Sequence, residues 1–215
     1  MTTLVIATRN RHKTREIRAV LGDGVQYLTL NDFPDAPTVV EDADTFPGNA
    51  AKKAEALARW LADQPIAHEH RRISVLADDS GLEVDALNGA PGVVSARFAA
   101  LDSEQSANST DTDNTAKLLR LRRDVPTPSR TARFRCAIAL AKVGDAGPPR
   151  LFEGACEGCI LDEPRGTNGF GYDPVFQPLG YAESFAELGE TVKNRISHRA
   201  RALAEAAHGL DLPWG

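Results

Sequence analysis

Residues 3–22 read TLVIATRNRHKTREIRAVLG, and this stretch decides the class of fold. The apolar run at 3–8 predicts a buried strand. From residue 13 to residue 21, apolar side chains recur with helical spacing, and Gly22 is a typical residue for ending a helix. A strand that passes directly into a helix is the unit from which α/β proteins are built.

The rest of the chain continues this alternation of strands and helices. Apolar runs and helical periodicity predict strands at 25–30, 73–77, 131–143 and 151–161, and helices at 45–61 and 195–207. Glycine-rich loops are predicted at 81–98 and 166–174, and a polar surface segment at 103–115 that leads into a helix through Leu118, Leu119 and Leu121. The last two strands, joined by GDAGPP, have the pattern of a hairpin. We therefore predict one α/β domain over residues 1–215, with a mixed sheet flanked by helices.

Composition excludes several classes of protein. The 215 residues carry a formal net charge of -5, whereas nucleic-acid-binding proteins are usually basic because phosphate contacts dominate their affinity. No apolar run reaches the roughly 20 residues of a membrane span or the roughly 7–15 residues of a secretory signal. We expect a cytoplasmic protein that binds neither nucleic acid nor membranes. Its three cysteines fit a reducing compartment, and we predict that Cys156 and Cys159 are structural residues in an extended segment.

The predicted strand-to-helix junction contains residues suited to phosphate binding. These residues are Thr8, Arg9, Asn10, Arg11, His12 and Lys13. Backbone N–H groups at a helix start attract anions, and Lys13 adds positive charge. The junction lacks the glycines of a Walker A loop, and a solvated basic turn is the alternative interpretation.

An acidic turn at 41–44 precedes the predicted helix 45–61. Its carboxylates, Glu41 among them, are hard oxygen ligands of the kind that Mg²⁺ takes together with substrate phosphates. Asn49 and Lys53 follow four residues apart on one helix face, and we assign both to substrate binding. The alternative is an acidic turn that only stabilises the helix start through the helix dipole.

Asp78, Asp79, Ser80 and Gly81 follow an apolar run, and we predict that they stand at the end of a buried strand. Ligands of open α/β sheets gather beyond the carboxyl ends of the strands. Two adjacent carboxylates at that place can hold a metal ion and orient a water molecule. A purely structural role explains this segment less easily.

The segment GFGYDP at 169–174 offers aromatic faces, Phe170 among them, for a nucleobase. Glycine lets the backbone approach a ligand closely. Farther along the chain, Lys193 adds charge for phosphate, and His198 and Arg199 add hydrogen-bond donors. A tight turn and a cationic helix start would also explain these residues. Together with the acidic and basic segments, they match a metal-bound nucleoside triphosphate.

Five blocks of this sequence resemble those of the ITP/XTP pyrophosphatases, which act on noncanonical purine nucleoside triphosphates. The blocks are LVIATRNRHKTREI, EDADTFPGNAAKKA, LADDSGLEVDALNGAPGVVSARFA, GFGYDPVF and ISHRARAL. They occur in the family's order and at its approximate spacing over nearly the whole chain. Five ordered blocks form a more specific signal than any single motif.

The resemblance implies a fold, a reaction and an assembly. The fold would be an elongated mixed sheet with two lobes and a central active cleft. The reaction would be Mg²⁺-dependent hydrolysis of ITP, dITP or XTP between the α- and β-phosphates, which gives the monophosphate and pyrophosphate. The assembly would be a homodimer.

The resemblance also implies roles for individual residues. Glu41 and Asp79 would bind the metal ion, and Asp79 would also activate the attacking water. His198 and Arg199 would face the 6-oxo edge of the purine. The other matches are phosphate contacts at residues 8–13 and Lys193, a substrate contact at Ser80, and the base-binding loop of Phe170, Gly171, Tyr172 and Asp173. Arg9 departs from the family, because many members have glycine there.

Two other functions also fit the residues. A related pyrophosphatase could act on modified pyrimidine or methylated nucleotides, with a different base loop. A non-catalytic nucleotide sensor could use the same pocket, although it would not need the carboxylate pair of Glu41 and Asp79. Rejection of GTP, which shares the 6-oxo group, does not follow from these residues.

Overall fold

The computed structural model describes residues 2–70, 72–102 and 108–209, and it confirms an α/β fold. The strands among these residues are β1 (Thr3–Ile6), β2 (Gln26–Thr29), β3 (Ile73–Val84), β4 (Thr131–Lys142), β5 (Arg150–Ile160) and β6 (Phe176–Pro178). They form one sheet in the order β2-β1-β3-β4-β5-β6. Strand β1 pairs in parallel with β2 and β3, whereas β5 and β6 are antiparallel, so the sheet is mixed as predicted.

Helices flank this sheet. Cys156 and Cys159 lie in strand β5, in an extended segment as predicted. The α-helices are α1 (Arg11–Leu21), α2 (Phe46–Ala62), α3 (Ile66–Glu69), α4 (Asp111–Arg122), α5 (Phe185–Ile196) and α6 (His198–Gly209). None of the helices in the described part of the chain is long and apolar enough to cross a membrane.

The chain divides into two compact units. The first unit contains the described residues of Met1–Asp79, Cys136–Gly154 and Arg199–Gly215, and the second those of Ser80–Arg135 and Ala155–His198. The core of the first unit joins β1, β3 and β4 to α1 and α6, with Leu4, Leu76, Ile138, Ile17 and Leu203 among its buried members. The second unit has its own core, which includes Leu82, Leu118, Phe134, Phe176 and Phe185.

One sequence prediction that concerns the site is wrong. Strand β3 continues to Val84, so Asp78 and Asp79 lie inside the strand and not at its end. The first four residues of the predicted loop 81–98 belong to the same strand. Leu82 and Val84 are fully buried on either side of the partly exposed Glu83, and this alternation continues the strand past the two acids.

The region before the C-terminal helix also differs from the prediction. The predicted helix 195–207 is divided at Ser197, where α5 ends and α6 begins at the next residue. Helices α3 and α5 and strand β6 are absent from the predicted elements. Of the predicted surface segment 103–115, residues 103–107 lie outside the described residues, and Thr110 caps α4.

Candidate functional site

A cluster of two carboxylates and one lysine lies in the first unit. Lys53, on α2, donates from Nζ to Glu41 Oε2 at 2.7 Å and to Asp79 Oδ1 at 3.1 Å. It also donates to the backbone oxygen of Asp78 at 2.9 Å. The structure therefore brings together three residues that the sequence analysis selected from two separate segments.

The loop that carries Glu41 is fixed on the first turn of α2. The side chain of Asn49 accepts from the backbone N–H of Ala43 at 2.9 Å and donates to its carbonyl oxygen at 3.2 Å. A Cβ atom on Gly48 would lie 2.9 Å from the Cβ of Ala43, so this close approach requires glycine. Asn49, which the sequence analysis assigned to substrate, thus uses both polar atoms to hold this loop.

Burial and charge give the two carboxyl groups different acidities. Burial raises the pKa of Asp79 to about 6, against the opposing charges of Lys53 and Lys13, and the neighbouring Glu41 adds to the rise. Burial also acts to raise the pKa of Glu41, but the charge and hydrogen bond of Lys53 outweigh it, so this pKa lies below its ordinary value.

The donor set of this cluster fits a divalent cation. Asp79 Oδ2 is buried and has no hydrogen-bond partner in the described part of the chain, and an orphaned carboxylate oxygen calls for a cation or water. Residues 2–70, 72–102 and 108–209 contain no group of three or more acidic, histidine or cysteine side chains arranged around a metal ion. Mg²⁺ needs only one or two carboxylates, because substrate phosphates and water supply its other ligands.

A second charged network in the first unit joins α1, β3 and α6. Lys13 Nζ lies 2.5 Å from Asp78 Oδ1, and Arg199 Nε donates to Asp78 Oδ2 at 2.8 Å. Arg199 also forms an ion pair with Glu16. Burial opposes ionisation of Asp78, but Arg199 and Lys13 outweigh it and hold the pKa of Asp78 well below its usual value. Asp78 is therefore an ionised anchor for the two cations.

The start of α1 offers fewer open amides than the sequence analysis assumes. Asn10 Oδ1 accepts from the backbone N–H groups of His12 at 2.9 Å and Lys13 at 3.2 Å, as a helix cap. The Lys13 side chain is 18% exposed, and its ion pair with Asp78 fixes the position of its ammonium group. The exposed Arg9 and Arg11 flank Asn10, so positive charge at this junction comes mainly from side chains.

In the second unit, Phe170 and Lys193 lie around the carboxylate of Asp173. The backbone N–H of Phe170 donates to Asp173 Oδ2 at 2.8 Å, and Lys193 Nζ lies 2.5 Å from the same oxygen. The Lys193 ammonium is also 4.7 Å from the centre of the Phe170 ring. Lys193 and Asp173 are buried, whereas Phe170 is partly exposed.

The other predicted residues of the second unit have different surroundings. Tyr172 is buried, and its hydroxyl donates to the backbone oxygen of Ser95 at 2.9 Å, so it fixes the loop. The ring of His198 stacks on Phe134, with centroids 4.7 Å apart. Ser80 is a partly exposed residue of β3.

Two contacts of the glycine-rich loop 169–174 are absent from the sequence predictions. Gly171 donates its backbone N–H to Asp111 Oδ2, on α4, at 2.7 Å. The Tyr172 hydroxyl donates to the backbone oxygen of Ser95. These partners are 60 and 77 residues away from the loop in the chain, and no local pattern marks either of them.

Comparisons with known proteins extend over the candidate site residues of both units. The profile of the Ham1 family matches residues 4–208. A dITP/XTP pyrophosphatase of Geobacter sulfurreducens is 49% identical over 206 residues, which cover 95% of this chain and 94% of the relative. One from Shouchella clausii is 44% identical over 215 residues, with 100% and 99% covered. The solved structure of a HAM1 protein from Coxiella burnetii has a TM-score of 0.81 and 36% identity, and 98% of each chain is covered.

Proposed function

The chain belongs to the Ham1 family, and from this premise we propose that it hydrolyses dITP, ITP and XTP to the monophosphate and pyrophosphate. The observation that carries the proposal is the cluster of Glu41, Lys53 and Asp79, with its orphaned buried oxygen. The identity with dITP/XTP pyrophosphatases over nearly the full chain supports the choice of substrate.

Mg²⁺ is the cation proposed for this cluster, with Glu41 and Asp79 as its protein ligands. When bound, it would neutralise phosphate charge and favour departure of pyrophosphate. Asp79 would orient the attacking water and accept its proton. Lys53 would hold the two carboxylates in place, and Lys13, directed by Asp78, would add positive charge for the phosphates.

The second unit supplies the residues proposed for the base. Phe170 would stack on the purine, while Asp173 and Lys193 hold its backbone and ring. His198 would donate to the 6-oxo group, which adenine lacks. The guanidinium of Arg199 is engaged with Asp78 and Glu16, so the proposal assigns it to holding Asp78. Assembly as a homodimer, measurable by sedimentation, is also proposed, on the resemblance alone.

A pyrophosphate-release assay with a nucleotide panel tests the function. We expect Mg²⁺-dependent release from dITP, ITP and XTP, with kcat/KM for ATP lower by about 10⁴, because a site built for an oxo group leaves buried donors unpaired against an amino group. Equal turnover of the four common triphosphates would contradict the specificity. Faster turnover of modified pyrimidine or methylated nucleotides would favour the related pyrophosphatase. Binding of dITP without turnover would indicate a nucleotide sensor.

The same assay tests the role of Asp79 through the Asp79→Asn variant. The amide keeps the shape of the side chain but cannot accept the proton, so kcat should fall by about 10²–10⁴ while the circular dichroism spectrum is unchanged. Asp42→Asn is the matched control, because Asp42 is an exposed acid next to Glu41 that pairs with Lys52. A fully active Asp79→Asn enzyme would show that Asp79 takes no part in the reaction.

A further inference from the structure

The loop that carries Phe170 needs support from outside itself. Gly169 and Gly171, on either side of the ring, have φ angles of +79° and +62°. Glycine reaches this left-handed region easily and also leaves it easily, so these positions do not fix the loop by themselves. A Cβ atom on Gly169 would lie 2.1 Å from Asp173 Oδ2, which explains why this position has no side chain.

The backbone N–H groups of Phe170 and Gly171 are held by two different carboxylates. Phe170 is held from within the loop by Asp173, at 2.8 Å. Gly171 is held from α4 by Asp111 Oδ2, at 2.7 Å. A carboxylate accepts a stronger hydrogen bond than a neutral oxygen does, so this contact, although it is exposed to solvent, restrains the loop.

Helix α4, which carries Asp111, is itself held in place by hydrogen bonds to the backbone of residues 96–99. Asn114 accepts from the backbone N–H of Ala99 at 2.8 Å and donates to the backbone oxygen of Ala96 at 3.2 Å. Lys117 donates to the backbone oxygen of Phe98 at 2.7 Å. The segment that these side chains hold directly follows Ser95, whose backbone oxygen accepts from the Tyr172 hydroxyl.

We propose that Asp111 is a positioning residue for base recognition, which acts through Gly171 to keep the Phe170 ring in its stacking orientation. This inference rests on the proposed function, since it gives Phe170 a nucleobase to stack on. It adds a residue of α4 to those that set base specificity.

Asp113 provides a matched control in the same turn of the helix. It accepts from the Thr110 hydroxyl at 2.6 Å, and no hydrogen bond joins it to the loop in the described part of the chain. Both acids lie in the first turn of α4 and interact favourably with the helix dipole. Of these two acids, Asp111 is the one hydrogen-bonded to the loop 169–174 among the described residues, so a comparison of the two separates loop positioning from helix stability.

Kinetics with dITP and dATP test the inference in three variants. Asp111→Ala should raise KM for dITP about tenfold with little change in kcat, because it removes a charge-assisted hydrogen bond that supports binding before and during reaction. The ratio of kcat/KM between dITP and dATP should fall as well. Asp111→Asn keeps a carbonyl acceptor and should lie between wild type and the alanine variant. Asp113→Ala should match wild type in both parameters.

Hydrogen exchange supplies a readout that does not depend on activity. A peptide covering residues 166–175 should exchange faster in Asp111→Ala than in wild type, and at the wild-type rate in Asp113→Ala. If the two alanine variants agree in KM and in exchange, or lose kcat together, the inference is overturned. A wild-type enzyme without dITP turnover would overturn the proposed function instead, while the exchange experiment still tests the contact with Asp111.

Discussion

Among single residues, Asp78 and Asp79 are chain neighbours with opposite electrostatic settings. Burial and the nearby Glu41 raise the pKa of Asp79 to about 6. Asp78 is buried even more deeply, but Arg199 and Lys13 hold its pKa well below the ordinary value. The side chain of Asp78 therefore serves as a fixed negative charge, whereas that of Asp79 is suited to exchange a proton.

Replacement of Arg199 by methionine tests the buried network to which Asp78 belongs. The variant leaves the carboxylates of Asp78 and Glu16 without their shared cation, so the free energy of unfolding should fall by about 3–5 kcal/mol. Urea denaturation followed by circular dichroism measures this change. Arg201 is exposed on the same helix, and Arg201→Met should stay within about 0.5 kcal/mol of wild type. A similar small change in both variants would contradict the role of Arg199.

At the scale of elements, α5 depends on a cap that is also a packing contact. Ser184 is fully buried, accepts from the backbone N–H of Glu187 at 3.1 Å and donates to the backbone oxygen of Arg165 at 2.6 Å. Gly189, with a φ of +75°, interrupts the helix one turn later. The same helix carries Lys193, whose ammonium pairs with Asp173.

Loss of that cap should destabilise the protein measurably. Ser184→Ala removes the acceptor for the first turn and leaves the Arg165 carbonyl without its donor, so the free energy of unfolding should fall by about 1–2 kcal/mol. Ser129→Ala, at an exposed serine of a short turn, is the control and should have almost no effect. Equal denaturation midpoints for the two variants would show that the cap is dispensable.

Local pattern predicts some of these elements well and others poorly. Strand β1, helix α1 and its stop at Gly22 follow from periodicity and composition alone. Asp78 to Gly81 have the composition of a turn, but the buried residues beyond them continue the strand, because tertiary burial overrides local propensity. Helix α5 is hidden by Gly189, although the serine and glutamate of its capping box are visible in the sequence.

The candidate site shows the same limit. Glu41, Lys53 and Asp79 can be selected from the sequence, because acids and lysines beside predicted helices and strands are typical of metal–phosphate chemistry. The contacts of Asn49 with Ala43, and of Asp111 with Gly171, cannot be predicted, since each depends on how a loop folds back in three dimensions.

For the whole molecule, charge is distributed so that the site's cations are already compensated. The protein has a formal net charge of -5, and Lys13, Lys53 and Lys193 each pair with a carboxylate. Such an arrangement can receive a small anion at a local position, and the negative net charge opposes the binding of a long polyanion.

Duplex DNA should therefore bind very weakly. We expect a dissociation constant weaker than about 10⁻⁴ M at physiological salt, because non-specific affinity depends on many phosphate contacts with unpaired lysine and arginine side chains. Fluorescence anisotropy with a labelled duplex measures this. Saturable binding at micromolar protein would contradict the prediction that this is not a nucleic-acid-binding protein.

The position of the two acids within β3 makes the site sensitive to the length of the strand. Successive residues of a strand face opposite sides of the sheet, so Asp78 and Asp79 serve different sides of it. Loss of a single codon earlier in this strand would move Asp79 into the place that Asp78 now occupies and Ser80 into the place of Asp79. Lys53 would then face a serine hydroxyl, and Arg199 would face the acid that now meets Lys53. Such a deletion would therefore separate the Asp79 carboxylate from Lys53, although every residue of the cluster would still be present in the chain.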